Sequence, residues 1–423
     1  VSETNLAYEG QDIVISGAGV IVAMDGPHAF NSLLLTNGAV LTHSPCTASV
    51  THMLDLTVTN EVLVSTNSRI DVSGKGYRPG YTTPNSSIGG SACFSGGSFG
   101  GLGGSGYYPT CGTGIPNAVY GSYADPDDWG SGAMSGYSGG AGGGLLRVSA
   151  RRVQLDGSLL ADGENNNFGG GGSGGGILLN ISEIAGTGAI RAGGGNGGNG
   201  NGIHGGGGGG GRIAVLATDY SMFDLSQISA PGGTNGPGCS GGAGTIFLQD
   251  KDEPLGALVI AKGEGSPTPL SLPGTNFLAF SSLTIRDGAV VSLNPLGTGL
   301  FVSGNLQVEN SAHLTNIAGA VTCQNLTLGS NSVVEVSASL IIQSNLLVQG
   351  GTLCGTRIVA TDLFLLSNGL LTTFTGSSTQ MYKLELDIAQ SVLVDARSRI
   401  DVSGKGYRPG YTTPNSSIGG SAC

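Results

Sequence analysis

The fold class that this sequence predicts is all-β: a parallel β-helix, or β-solenoid, with long ordered glycine-rich loops and essentially no α-helix. Three observations carry the expectation. Short apolar stretches alternate with period two, as in Leu306-Gln307-Val308, Leu326-Thr327-Leu328 and Val333-Val334-Glu335-Val336, which is the pattern of strands with one buried face. Valine, isoleucine and threonine dominate these stretches and no 3.6-residue period persists, so helices are disfavoured. The strands also recur in units of about 20 residues, the signature of a stacked repeat.

The elements follow in order along the chain. Residues 1–67 read as solenoid coils that end an upstream module, with "AFNSLLLTNGAVL" from Ala29 as their anchor. Residues 68–250 form a glycine-rich block. Of the 80 glycines in the chain, 52 lie between Tyr81 and Asp250. Runs of glycine there precede apolar strands four times, and the last glycine is Gly144, Gly176, Gly211 and Gly244, a unit of about 33 residues. A flexible linker has no reason to keep such spacing. The glycines are therefore expected to be ordered, in polyproline-II-like or loop segments whose backbones bond to one another.

Residues 251–397 read as further coils. "AFSSLTIRDGAVV" from Ala279 repeats the first anchor, and a phrase with Leu306, Leu326, Leu346 and Leu363 recurs before Leu384. Compared with the first module, about 80 residues have been gained, equal to four coils. A solenoid accepts whole coils because each touches only its neighbours. Residues 398–423 open the next glycine-rich block and stop inside it. Ser68–Cys93 and Ser398–Cys423 are identical, "SRIDVSGKGYRPGYTTPNSSIGGSAC", so the sequence is expected to be a window on a longer tandem array.

Composition narrows function by exclusion. Only 11% of the 423 residues are charged, against about a quarter in ordinary domains, and the net charge is −11. That leaves no basic footprint for nucleic acid. No apolar run approaches the roughly 18–20 residues of a membrane-spanning helix. Seven cysteines without zinc-finger spacing favour an extracellular or cell-surface location. Cys93 has Cys111 as its neighbour in sequence and candidate disulfide partner. Cys423 then needs a partner outside the sequence, and Cys46, Cys239, Cys323 and Cys354 cannot be paired from sequence. Four sequons, at Asn85, Asn180, Asn325 and Asn415, are glycosylation candidates.

Few residues suggest chemistry. G-x-S-x-G occurs four times, but a glycine-rich composition generates it freely, and no helix setting accompanies it. The histidines are scattered, without metal-ligand spacing. Asp125, Asp127 and Asp128 are a Ca²⁺ candidate, although a solvated turn explains them more simply. Tyr107, Tyr108, Tyr120, Tyr123 and Trp129 are candidates for a sugar-binding or subunit-contact surface, or for a small satellite core. Tyr137 falls among the same aromatics.

The phrases "SRIDVSGKGY", "VYGSYADPDDWGSG", "SGGAGGGLLRVSARRVQLDGSLLADG" and "GGGGGGGRIAVL" resemble a glycine-rich module of very large secreted or cell-surface repeat proteins of bacteria and protists. The resemblance implies a β-solenoid surface or matrix component and brings no catalytic residues. The expected function is thus a structural tandem-repeat block of an extracellular filament, sheath or surface fibre, without catalysis or cofactor. Its partners would be copies of itself or adjacent repeats, with attached glycans, and neither nucleic acid nor a membrane span. An adhesin or glycan-binding protein is the alternative, and a polysaccharide-acting β-helix enzyme the remote one.

Overall fold

A computed structural model describes residues 1–134, 139–200, 202–235, 239–263, 265–271 and 275–417. The chain is all-β. Among the described residues the only helical element is a 3₁₀ turn, Leu225–Gln227, capped by Asp224. Among the described residues no helix is long and apolar enough to cross a membrane. Two compact units are formed, Val1–Thr268 and Pro269–Cys423.

In the first unit, successive passes of the chain lie side by side in parallel. Leu54–Val64 pairs along one edge with Gly26–Phe30 and Ser32–Thr36, and along the other with Leu145–Leu155. Gly176–Gly186, Arg212–Ala217 and Thr245–Asp250 continue the sheet, all in parallel register. The period-two alternation decides which side chains go inward. Leu54, Leu56, Val58, Val62 and Val64 are buried, while Thr57 and Thr59 face solvent. The register then lines up one apolar row across the strands: Leu56 beside Val148, Leu179 and Val215.

A second sheet of six short parallel strands closes the other side of the core. Its central residues, Val22, Leu41, Ile70, Leu159, Ile190 and Ile228, stand in one file. The two sheets share one apolar cluster that runs from Ile15 to Ile246. Each aliphatic side chain fully buried there contributes about 1.5–3 kcal/mol before conformational entropy is subtracted. At the end of this stack the chain reverses, and Ala257–Ala261 pairs antiparallel with Thr245–Asp250. A small antiparallel sheet of Tyr107–Tyr108, Gly112–Thr113, Asn199–Gly200 and Ile203–His204 lies in the same unit.

The glycine tracts are ordered, and they bond to each other outside any strand. Gly143 N–H donates to the Ser173 carbonyl at 2.8 Å, Gly174 N–H to Gly209 at 2.9 Å, and Gly210 N–H to Gly242 at 2.9 Å. Cross-links such as Gly208 to Gly195 and Gly209 to Gly97, each 2.8 Å, tie neighbouring rows together. These rows are buried, so every bond made there offsets the cost of desolvating a peptide group. The packing leaves no room for a side chain. A Cβ placed on Gly208 would lie 1.9 Å from the Gly172 carbonyl oxygen, and one on Gly172 equally close to that of Ala141.

The second unit repeats the parallel stacking with shorter steps. Leu283, Leu306, Leu326, Leu346 and Leu363 stand beside one another in register, as the recurring phrase predicts. The next member differs from expectation. Leu363 pairs with Val392, not with Leu384, because residues 373–384 leave the sheet between strands and lengthen that step. Leu33 pairs with Val62 in the first unit for the same reason. An asparagine ladder reinforces the outer surface: Asn325 Nδ2 donates to Asn305 Oδ1 at 3.0 Å, and Asn345 N–H donates to Asn325 Oδ1 at 3.2 Å.

Candidate interaction surface

The aromatic residues singled out in the sequence divide between interior and surface. Tyr123 is buried against Phe247, with ring centroids 5.5 Å apart. Tyr120 packs on Phe99 at 4.9 Å, and its hydroxyl donates to the Trp129 carbonyl at 2.5 Å. Burial pushes the Tyr120 phenol far above its usual range. Both act as a satellite core under the long loops. Tyr107 is exposed, and Tyr108 stands edge-on to Phe94 at 5.5 Å. Tyr137 lies outside the described residues.

Trp129 separates two surface clefts. One, of about 380 Å³, is bounded by Glu3, Asp25, His52, Met53 and Trp129. The other, of about 510 Å³, is bounded by Tyr77, Pro84, Asn85, Asp127, Asp128 and Trp129. The indole is fixed by its Nε1–H, which donates to the His52 carbonyl at 2.6 Å, and by the Tyr77 ring at 5.9 Å.

The neighbouring carboxylates point different ways. Asp125 accepts from Arg147 Nη1 at 3.0 Å. Asp128 turns inward to accept from the Tyr77 hydroxyl at 2.7 Å and the Trp129 N–H at 2.8 Å. Burial raises its pKa while these donors oppose the shift. Asp127 remains exposed. Among the described residues no three His, Cys, Asp or Glu side chains gather as a metal site would require.

Cys46, His52 and Asp25 come together beside the first cleft, which their scattered positions did not foretell. Their geometry is not that of an activated thiol. Cys46 Sγ accepts from the His52 backbone N–H at 3.4 Å, and burial lifts the thiol to about 11, so it stays protonated. His52 Nδ1 is 3.7 Å from Asp25 Oδ2. Of the serines in G-x-S-x-G matches, Ser98 and Ser173 are buried within the glycine rows. Ser138 lies outside the described residues.

Cys93 and Cys111 form a disulfide, with Cα atoms 5.9 Å apart. Cys46, Cys239, Cys323 and Cys354 are free thiols, and burial lifts Cys323 to about 12. Cys423 lies outside the described residues. The sequons also differ from one another. Asn180 is exposed on Gly176–Gly186. The Asn85 amide donates to the Thr47 carbonyl at 3.3 Å, and Asn415 makes the equivalent bond to Ser377 at 3.1 Å. Asn325 is engaged in the asparagine ladder.

Two buried polar residues escaped the sequence reading. Asn117 Oδ1 accepts from Ser98 N–H at 2.8 Å and Ser91 Oγ at 2.9 Å, while its Nδ2 reaches the Ser98 carbonyl at 3.1 Å. Among the described residues no carboxylate forms an ion pair with Arg212. Its Nε donates to the Tyr120 carbonyl at 2.9 Å, and the guanidinium stands 5.4 Å from the Phe99 ring. Desolvation lowers its pKa to about 10. Both residues pin the loop from Phe99 to Tyr120, and neither belongs to a motif.

An open strand edge with exposed apolar side chains lies in the second unit. Glu385–Val394 and Arg399–Ile400 have a parallel partner on one edge, Thr352–Leu366 and Leu370–Thr372 respectively. Their inward-phased side chains, Leu386, Val392, Val394 and Ile400, are exposed. No family model, curated protein or solved structure matches this chain.

Proposed function

We propose that the chain is a structural block of an extracellular filament, sheath or surface fibre, built as a β-solenoid and performing no catalysis. The observation that supports this best is the modular register of the second unit. Leu283, Leu306, Leu326, Leu346 and Leu363 stack in one file, so coils are added without altering the cross-section. Continuous backbone hydrogen bonding along such a stack resists extension, and the apolar file excludes water from it. The resemblance to glycine-rich modules of large secreted repeat proteins points the same way. Partners are then copies of itself or adjacent repeats. Electron microscopy of the purified chain over a concentration series tests this reading. Fibres with a regular axial repeat are expected, and particles that stay monodisperse at every concentration would refute it.

A second reading, glycan binding at a cell surface, rests on Trp129 between its two clefts with Asp127 and Glu3 at their rims. A half-buried indole beside carboxylates offers one ring face to a sugar. Saturable binding of an oligosaccharide, abolished by Trp129→Ala in a chain that still folds, would favour it.

A further inference from the structure

We propose that the open face formed by Glu385–Val394 and residues 398–417 is the receptor for a second copy of this chain's own glycine-rich block, residues 94–250. The inference deepens the structural reading above by naming the partner of that end.

One sequence stands in two environments. Ser68–Cys93 and Ser398–Cys423 are identical. In the first copy, five backbone N–H groups donate to the glycine-rich block: Val72 to Leu160, Gly74 to Asp162, Gly76 to Gly142, Tyr77 to Gly130 and Gly80 to Ala133, at 2.6–3.0 Å. In the second copy the same groups belong to Val402, Gly404, Gly406, Tyr407 and Gly410. Among the described residues no acceptor stands opposite any of them.

Side chains repeat the contrast. Ile70 is fully buried and Ile400 is 42% exposed; Tyr77 is 2% and Tyr407 46% exposed. Upstream, Val62 at 1% corresponds to Val392 at 55%. The strand edges agree as well. Leu54–Val64 and Arg69–Asp71 take Leu145–Leu155 and Ser158–Leu160 on the edges that Glu385–Val394 and Arg399–Ile400 leave open.

The glycines are the most specific part of the match. A Cβ on Gly76 would stand 2.1 Å from the Gly143 carbonyl oxygen and 2.9 Å from that of Gly130, so glycine is required there. A Cβ on Gly406 would meet nothing within 4 Å. Nothing in its own unit requires Gly406 to be glycine, whereas an approaching glycine row does.

The test compares the chain 1–423 with an extended chain in which 1–423 is followed directly by a second copy of 94–423. The covalent join keeps the effective concentration of the partner high. Amide hydrogen exchange is followed in peptides spanning 384–417. Exchange there is expected to slow by about a hundredfold or more on extension, approaching the rates of 54–87. Gly406→Ala is expected to leave the melting of the original chain unchanged and to abolish the added protection in the extended one. Unchanged exchange across 384–417 beneath a protected second block would overturn the proposal. So would a second block that gains no protection of its own, or Gly406→Ala tolerated in both chains. Fibres that form from 1–423 without any of this protection leave the structural reading standing and remove this one. Protection on extension without fibres does the reverse.

Discussion

Replacing Gly76 by alanine and, separately, Gly406 by alanine puts the same methyl group into the same local sequence, with opposite consequences. At Gly76 the new Cβ would lie 2.1 Å from the Gly143 carbonyl oxygen, and ordinary contact begins at 3.4 Å. Relief requires a displacement of about 1.3 Å between two bonded backbones, the kind of overpacking that close-packed interiors resist. Three hydrogen bonds meet at that point: Gly76 N–H to Gly142 at 2.7 Å, Tyr77 N–H to Gly130 at 3.0 Å, and Gly130 N–H to Gly143 at 2.9 Å. At about 1 kcal/mol net for each, their loss costs about 3 kcal/mol. The entropy alanine removes from the unfolded chain offsets about 0.4–1 kcal/mol of this. At Gly406 the backbone is not left-handed and no atom lies within 4 Å, so the unfolded-state term alone remains and the substitution is neutral to slightly stabilising. Trp129, the single tryptophan, lies in the first unit and reports its unfolding by fluorescence in urea. The Gly76→Ala midpoint should fall clearly below that of the parent, and hydrogen exchange in the second unit should be unaffected by Gly406→Ala. A Gly76→Ala chain as stable as the parent would refute the ordered packing of the glycine rows, because it is the behaviour of a flexible linker.

Three further outcomes are expected. His43 is buried with Nδ1 donating to the Ser44 carbonyl at 2.8 Å and Nε2 without a partner, and desolvation lowers its pKa to about 4 from 6.5. The unfolded state therefore binds the proton first, so stability from this site is full above pH 6.5 and falls towards pH 4, by about 3 kcal/mol. The fall should be absent in the difference between parent and His43→Met measured by urea unfolding at pH 7.5 and 4.5 if this account is wrong. Arg212→Met removes the donors to the Tyr120 and Phe99 carbonyls and should destabilise the first unit by about 2–4 kcal/mol, loosening 99–120 in hydrogen exchange. If the chain is produced with N-glycosylation, mass spectrometry should find glycan at Asn180 and little at Asn85, Asn325 and Asn415, whose side-chain amides are bonded.

Much of this protein was legible from the sequence because its strands are short and periodic. Alternation of apolar residues determined the all-β class and the inward face of Leu54–Val64. The recurring leucines determined the register from Leu283 to Leu363, whereas Cys111 was only a candidate partner for Cys93 until the fold brought the two together. Periodicity reports which way a side chain points along one strand. It does not report which strand comes next, so the pairing of Leu363 with Val392 was missed, as was the antiparallel turn at Ala257–Ala261. The candidate surface was less legible still. Asp125, Asp127 and Asp128 are adjacent in sequence but diverge in space, while Asn117 and Arg212 carry no motif and anchor the loop. The identical segments make the division plain. Ser68–Cys93 and Ser398–Cys423 share every residue, and the sequence alone determined that each would turn out the same N–H groups, glycines and apolar side chains. Whether Ile70 is buried and Ile400 exposed was decided by tertiary structure alone, because burial belongs to the neighbour that stacks on a segment and not to the segment itself.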